Sequence, residues 1–284
     1  MLKYPKEYPL VVADVFCGVG AVCLLAAKKR QVTTVGSSTK QQKSKKKKDR
    51  EANSKSTSDP SHTNHSNNSL RIVANDWNPT AIEYFEKSID GNNLDASQFE
   101  LSCLEAYDFL IALGNPKQDD DDDESDEHDI TNIKSRLPDH VLMNFPLEAP
   151  KFLGALRWWS WEELEHRRHE TFGKDAQRLA QFPRFHVYTF ARATELGADD
   201  EEEVAVDIVA NELLPEIAFG DDEDDSDAVA DVNDDSANKV AHRRKEFNDE
   251  FGTNISTRLV RDVAPGKVVV CVSFSLTPKL GDYS

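Results

Sequence analysis

Two acidic residues, each at the exit of an apolar run, are the first features of this 284-residue chain that could do chemistry. Asp14 follows Leu10-Val11-Val12-Ala13 and opens Asp14-Val15-Phe16-Cys17-Gly18-Val19-Gly20. Asp76 follows Arg71-Ile72-Val73-Ala74-Asn75 and opens Asp76-Trp77-Asn78-Pro79. A strand that ends in a carboxylate and turns through two glycines into an apolar helix cradles a nucleotide-like ligand. Without a Cβ, the backbone at Gly18 and Gly20 can turn and come close to that ligand, and the following helix directs unpaired N–H groups toward it. In doubly wound sheets an acid at the carboxyl end of the second strand accepts hydrogen bonds from ribose hydroxyls, and Asp76 sits there. The glycine pattern is D-x-F-x-G-x-G, not the G-x-G-x-x-G of dinucleotide sites. An acid after each of two strands, with that turn, fits S-adenosylmethionine better than a nicotinamide cofactor.

Further along, Asp139-His140-Val141-Leu142-Met143-Asn144-Phe145-Pro146 reads as a strand and its exit. An amide at Asn144 can donate and accept at once, which suits the edge of a planar base, and Pro146 stiffens the backbone after it. The segment is a reduced form of the Asn-Pro-Pro-aromatic motif of amino-group methyltransferases. Glu105, just after the strand ending at Cys103, has two readings: a contact to an adenine amino group, or a carboxylate stabilised by a helix N-terminus.

These residues need a sheet to bring them together, and the apolar pattern supplies one. Candidate strands are 10–15, 71–75, 99–103, 139–144, 184–190, 256–262 and 267–276. Candidate helices are 19–29, 79–91, 104–113, 149–166 and 200–217. Alternation of this kind predicts an α/β fold with a mostly parallel sheet and helices on both faces. Only Val263-Ala264-Pro265-Gly266 separates the last two strands, too little for a crossover helix, so they form an antiparallel hairpin. Seven strands with an antiparallel C-terminal hairpin describe a Rossmann-like class I methyltransferase domain over residues 1–284.

Three stretches read as insertions: 36–69, 115–134 and 219–240. They lack the apolar content that offsets ordering entropy and are expected to be mobile surface loops. The cluster Lys45-Lys46-Lys47-Lys48 is read as part of a solvated low-complexity insertion, ahead of a nuclear-import signal or an RNA-contacting finger. A net charge of -18 looks hostile to nucleic acid. Eighteen acids, however, fall in Asp119–Asp129 and Asp221–Asp235, which contain no Lys or Arg, so the rest is near neutral. The four cysteines, Cys17, Cys23, Cys103 and Cys271, have no metal-ligand spacing and are read as free thiols, with no metal site expected. No segment approaches the length of a membrane span.

At this point the chain resembles the tRNA guanine-37 N1-methyltransferases of archaea and eukaryotes. The residues that carry the resemblance are Asp14-Val-Phe-Cys-Gly-Val-Gly20, Ala74-Asn-Asp-Trp-Asn-Pro79, Asp108-Phe109-Leu110, Val141-Leu-Met-Asn-Phe-Pro146, His186-Val-Tyr-Thr-Phe190 and Val260-Arg-Asp-Val-Ala-Pro265. The closing hairpin is the most discriminating of these. The resemblance implies that Asp14, Phe16, Gly18 and Gly20 line the methionine end of S-adenosylmethionine, that Asp76 holds its ribose and that Glu105 lies near its adenine. It also implies that Asn144 and Pro146 face the target guanine. Arg261 either binds anticodon-stem phosphates or ties the hairpin down. TRNA is the implied partner, with a monomer, no membrane, and a cytoplasmic, nuclear or mitochondrial-matrix location.

The sequence departs from the family at Ala21, where members usually have Pro, and at Glu105-Ala106-Tyr107, which replaces Asp-Gly-Arg. Members also carry an amino-terminal RNA-recognition region and a segment before the first strand that supplies a glutamate as general base. The expectation is therefore a cofactor-binding catalytic domain whose transfer activity as an isolated chain is poor. Alternatives are the wyosine-pathway aminocarboxypropyl transferase, whose strand exit usually lacks Asn-x-Pro, an amino-group methyltransferase with another substrate, and a non-catalytic module of the same fold.

Overall fold

The apolar runs become strands with small shifts at their ends: β1 (Leu10–Asp14), β2 (Leu70–Asn75), β3 (Phe99–Ser102), β4 (His140–Met143), β5 (Arg184–Ala191), β6 (Gly252–Ala264) and β7 (Lys267–Leu276). They come from a computed structural model that describes residues 10–42, 70–115, 137–172, 182–192, 200–214 and 232–283. One seven-stranded sheet results, in the order β3-β2-β1-β4-β5-β7-β6. The first five strands pair in parallel, whereas β7 runs antiparallel to both β5 and β6. The expected α/β architecture with a terminal hairpin is what the chain adopts.

Six helices accompany the sheet: α1 (Ala21–Gln42), α2 (Pro79–Gly91), α3 (Ala106–Gly114), α4 (Trp161–Phe172), α5 (Glu201–Leu213) and α6 (Val232–Glu246). Strand alternation splits the core in two. Val11 and Ala13 join Phe109, Val141, Met143, Phe185, Val187 and Val209 on one face. Leu10 and Val12 pack against the other cluster, built on Cys23, Ile72, Phe85 and Ile89 from α1, β2 and α2. On that second face, β4, β5 and β7 carry a polar row in which His140 Nδ1 lies 3.0 Å from His186 Nε2, and His186 Nδ1 lies 2.9 Å from Ser273 Oγ. Burial, helped by His140 and Arg184, pushes His186 down to about 4.

Three differences from the sequence expectations have physical reasons. The single helix foreseen at 149–166 is a 3-10 helix, Ala149–Trp158, followed by α4. The break occurs where the Trp159 ring turns into the core, stacked on Trp161 at 5.3 Å with Nε1 donating to the Leu110 carbonyl at 2.7 Å. Ser160 is held there by Asn115 Oδ1, which accepts from the Ser160 backbone N–H at 3.0 Å. Helix α1 runs on to Gln42, Asn115 bonds to the Trp158 carbonyl, and Val232–Val240 are helical, so the ends of the three stretches carry described backbone. Helix α6 is fastened by Arg244, which pairs with Glu203 and lies 3.1 Å from Asp207 of α5. The remainder of the foreseen insertions, 43–69, 116–134 and 219–231, lies outside the described residues. Among the described residues no helix is long and apolar enough to cross a membrane, and no cluster of His, Cys, Asp and Glu could hold a metal ion.

Candidate active site

The carboxyl ends of β1, β2, β3 and β4 meet at one edge of the sheet, where parallel α/β folds place their ligands. The cleft there, about 440 Å3, is lined by Val15, Phe16, Asn75, Asp76, Trp77, Glu105, Ala106, Asn144, Phe145 and Phe152. Four residues singled out in the sequence, Phe16, Asp76, Glu105 and Asn144, thus share one cavity although they come from four separate strand exits.

Asp76 does more than face the cleft. Its Oδ2 accepts the Gly18 N–H at 2.9 Å and its Oδ1 accepts the Asn78 N–H at 3.0 Å, so one carboxylate ties the glycine turn to the start of α2. Asn78 in turn caps that helix through Oδ1 to the Thr80 N–H, with Pro79 in its first turn. The two glycines serve different needs. Gly18, at φ +53°, points its missing Cβ into open space. Gly20, at φ +78°, would put a Cβ 2.2 Å from the Phe85 ring, so its lack of a side chain answers to helix packing and not to ligand approach.

Asp14 lies beneath this turn and is not part of the cleft wall. It is 3% exposed, and its Oδ2 accepts from Cys23 Sγ at 3.3 Å while Oδ1 has no hydrogen-bond partner among the described residues. Burial, opposed by the Cys23 bond, pushes its carboxyl up to about 6. Burial and the Asp14 carboxylate likewise push both the Cys17 and the Cys23 thiols up, which makes them inert neutral thiols.

Glu105 is the residue before α3 and makes no capping bond to it. Its side chain is exposed on the cleft and it stands at the N-terminus of α3, so its position agrees with both sequence readings, the adenine contact and the carboxylate at a helix N-terminus. Asn144 is exposed, and its amide makes no hydrogen bond among the described residues. The backbone after it is held firmly: the Phe145 carbonyl accepts from the Glu148 and Ala149 N–H groups at 2.9 and 2.7 Å, and the Pro146 carbonyl accepts from the Phe190 N–H at 3.2 Å. Pro146 itself lies outside the cleft lining.

Arg261 is not brought to the cleft. It is exposed on β6, paired through Val269 to Phe190, on the edge of the sheet that carries the site but three strand spacings from β4, roughly 14 Å. It makes no hydrogen bond or ion pair among the described residues, so no such contact ties the hairpin down.

Asn75 went unnoticed in the sequence and is the hub of the site. Buried at 1% exposure, it donates through Nδ2 to the Leu104 carbonyl at 3.0 Å and to the Val15 carbonyl at 3.4 Å. Its Oδ1 accepts from Ser102 Oγ and from the Leu104 N–H, both at 2.9 Å. One amide thereby fixes the exits of β1, β2 and β3 against each other. A polar residue ending an otherwise apolar strand was the available signal. Chemically, the cleft offers carboxylates for hydroxyl or amino groups, aromatic faces for a flat or cationic group, and an unengaged amide at its β4 end.

No family model matches the chain. The tRNA (guanine(37)-N(1))-methyltransferase 2 of Phaeodactylum tricornutum is 37% identical to it over 273 residues, which is 93% of this chain and 37% of that protein. The tRNA (guanine(37)-N(1))-methyltransferase 2 of Arabidopsis thaliana is 24% identical over 206 residues, covering 72% of this chain and 22% of its own length. Among solved structures, wild-type Trm5b from Pyrococcus abyssi aligns with 97% of this chain and 46% of its own at 15% identity, with a TM-score of 0.40, too low to add to what the strand order itself shows. The chain spans little more than a third of the Phaeodactylum relative. Identity of that extent across nearly all of its own residues makes the chain similar to part of a tRNA (guanine-37-N1)-methyltransferase.

Proposed function

We propose that this chain is the cofactor-binding, methyl-transferring part of an enzyme that methylates N1 of guanine 37 in tRNA, beside the anticodon. One observation carries the reading: Asp76, Glu105 and Asn144 share a single cleft in a chain 37% identical to a protein named for that reaction. The cleft suits S-adenosylmethionine. Its volume, about 440 Å3, lies in the usual range for small-molecule sites. The carboxylate of Asp76 stands at the second strand exit for ribose hydroxyls, and Glu105 is exposed toward the same space for an adenine amino group. The rings of Phe16 and Phe152, 5.4 Å apart, give an apolar and electron-rich wall to a positively charged sulfur.

S-adenosylmethionine, when bound, supplies an electrophilic methyl group. The residues of this chain then have to align an acceptor with it, which is most of the work of such a reaction. Asn144 can accept from and donate to the edge of guanine, holding N1 in line, while Pro146 and the Phe190 N–H fix the backbone that carries the amide. Asn144 cannot take the N1 proton, because an amide is not a base at neutral pH, so that proton has to leave to a carboxylate or through water to solvent as the methyl group is transferred and S-adenosylhomocysteine is released. The exposure of Arg261 at the same sheet edge supports its contact with a phosphate further along the RNA.

Calorimetric titration with S-adenosylmethionine is the first test, with saturable binding expected for the wild type and a loss of at least tenfold for Asp76→Ala. Label transfer from the cofactor to tRNA transcripts bearing guanine or adenine at position 37 is the second. Transfer that ignores the base at position 37, or an absence of cofactor binding, would overturn the reading.

A further inference from the structure

Phe145 is large, apolar and 42% exposed in the cleft lining, beside Phe16 and Phe152, which are partly buried, while Trp77 is the other exposed aromatic residue there. Its ring lies 5.5 Å from that of Phe16 at 54°, and Phe16 lies 5.4 Å from Phe152 at 57°. The three rings form a continuous wall, of which Phe145 is the outermost and wettest member. The backbone at Phe145 is fixed from both sides. Its carbonyl takes two N–H bonds from the following turn, and the next carbonyl is bonded to β5. A fixed, exposed ring directly beside an unengaged amide is what a flat heterocycle needs, a face to lie on and an edge to be read.

Resting on the proposed methyl transfer to guanine, we propose that Phe145 is the stacking platform for the acceptor base, and that Asn144 beside it reads the edge of the same base. The division of labour follows from the chemistry of the two side chains. Every base has a π-face, so stacking on Phe145 contributes affinity without sequence preference, at about 1–3 kcal/mol per base in comparable sites. Hydrogen bonding by Asn144 depends on the donor and acceptor pattern of the edge and contributes discrimination. An enzyme that acts on a base must take it out of its stack, and an aromatic face waiting at the cleft mouth offsets part of that unstacking. Trp77 is exposed in the same lining but follows Asp76 at the β2 exit, whereas Phe145 follows Asn144, the amide that reads the base.

The test uses an anticodon stem-loop RNA carrying 6-thioguanosine at the target position, bound to the protein with S-adenosylhomocysteine and irradiated. The cross-linked residue is then identified by mass spectrometry. The expected result is a cross-link on Phe145 that falls about tenfold in Phe145→Leu and is retained in Phe145→Tyr, with thermal midpoint and S-adenosylmethionine affinity unchanged in both variants. Phe145→Ala is expected to weaken binding of stem-loops with guanine or adenine at the target position alike, by about 5- to 50-fold, whereas Asn144→Ala narrows the difference between them. A cross-link at another residue, no cross-link from RNA that is measurably bound, or unchanged affinity in Phe145→Ala overturns the platform and leaves the methyl-transfer reading standing. Failure of the wild type to bind the RNA at all overturns both.

Discussion

At the end of the cleft formed by β1, β2 and β3, the polar atoms are already committed to one another. Asn75 makes four hydrogen bonds, and both oxygens of Asp76 hold backbone N–H groups of neighbouring turns. At the β4 end, the Asn144 and Phe145 side chains are exposed in the cleft lining and neither makes a hydrogen bond or ion pair among the described residues, the Phe145 ring touching only that of Phe16 at 5.5 Å among the aromatic pairs. The first end is held in shape before any ligand arrives, whereas the second gets its partners from the ligand. Changes at the first end should therefore cost stability, and changes at the second should cost function alone.

The harshest way to break this contrast is Gly20→Ala. The new Cβ would sit 2.2 Å from the Phe85 ring on a backbone at φ +78°, so the expected loss is roughly 2–5 kcal/mol in denaturant unfolding, with cofactor affinity falling alongside. Asn75→Leu comes next. It fills the same space but leaves the half-buried Leu104 N–H and carbonyl without their Asn75 partners, and should cost about 1–3 kcal/mol by the same measurement.

Asp14→Asn sharpens the picture in the opposite direction. A carboxyl raised from 3.8 to about 6 by burial favours folding below its unfolded pKa, and that contribution is lost as pH rises through about 6. At neutral pH the variant should be more stable by about 1–3 kcal/mol, with loss of cofactor affinity if the carboxylate matters to binding. His186, lowered to about 4, works the other way, since stability rises between about pH 4 and 6.5 as the unfolded chain loses its proton. The two opposing effects should leave the wild type nearly flat in that window, and Asp14→Asn should show a rise in stability with pH when unfolding is followed from pH 4 to 7. Asn144→Ala has the smallest expected effect on folding, within about 0.5 kcal/mol, with methyl transfer reduced about 100-fold and calorimetric cofactor affinity intact. A destabilised Asn144→Ala would remove the distinction between the two ends.

The residues that were legible in the sequence are those whose position follows from strand exits. Asp76, Glu105 and Asn144 each end a readable strand, and a parallel sheet must bring such ends together. Asn75 escaped because a buried amide next to a half-buried acid looks like part of the same polar turn until its partners on β1 and β3 are known. Gly20 was read for its backbone freedom, correctly as to its positive φ, while the reason no other residue fits is the Phe85 ring from a helix more than sixty positions away. Helix α6 was hidden by the acidic run that leads into it. What orders its end is tertiary: Arg244 reaching Asp207, and Phe247, fully buried, edge-on to Phe274 at 5.2 Å. Pattern reading of charge has no access to either.

The bond from the Phe190 N–H to the Pro146 carbonyl ties the chain back to β5 three residues past the last residue of β4. The backbone of Asn144 is thereby bracketed between the end of β4 and a second attachment to β5, on the side that leads to the terminal hairpin. Such an amide has little room to swing open or shut, so any enclosure of the acceptor must be completed by whatever docks over it, with this strand end acting as the unmoving jaw.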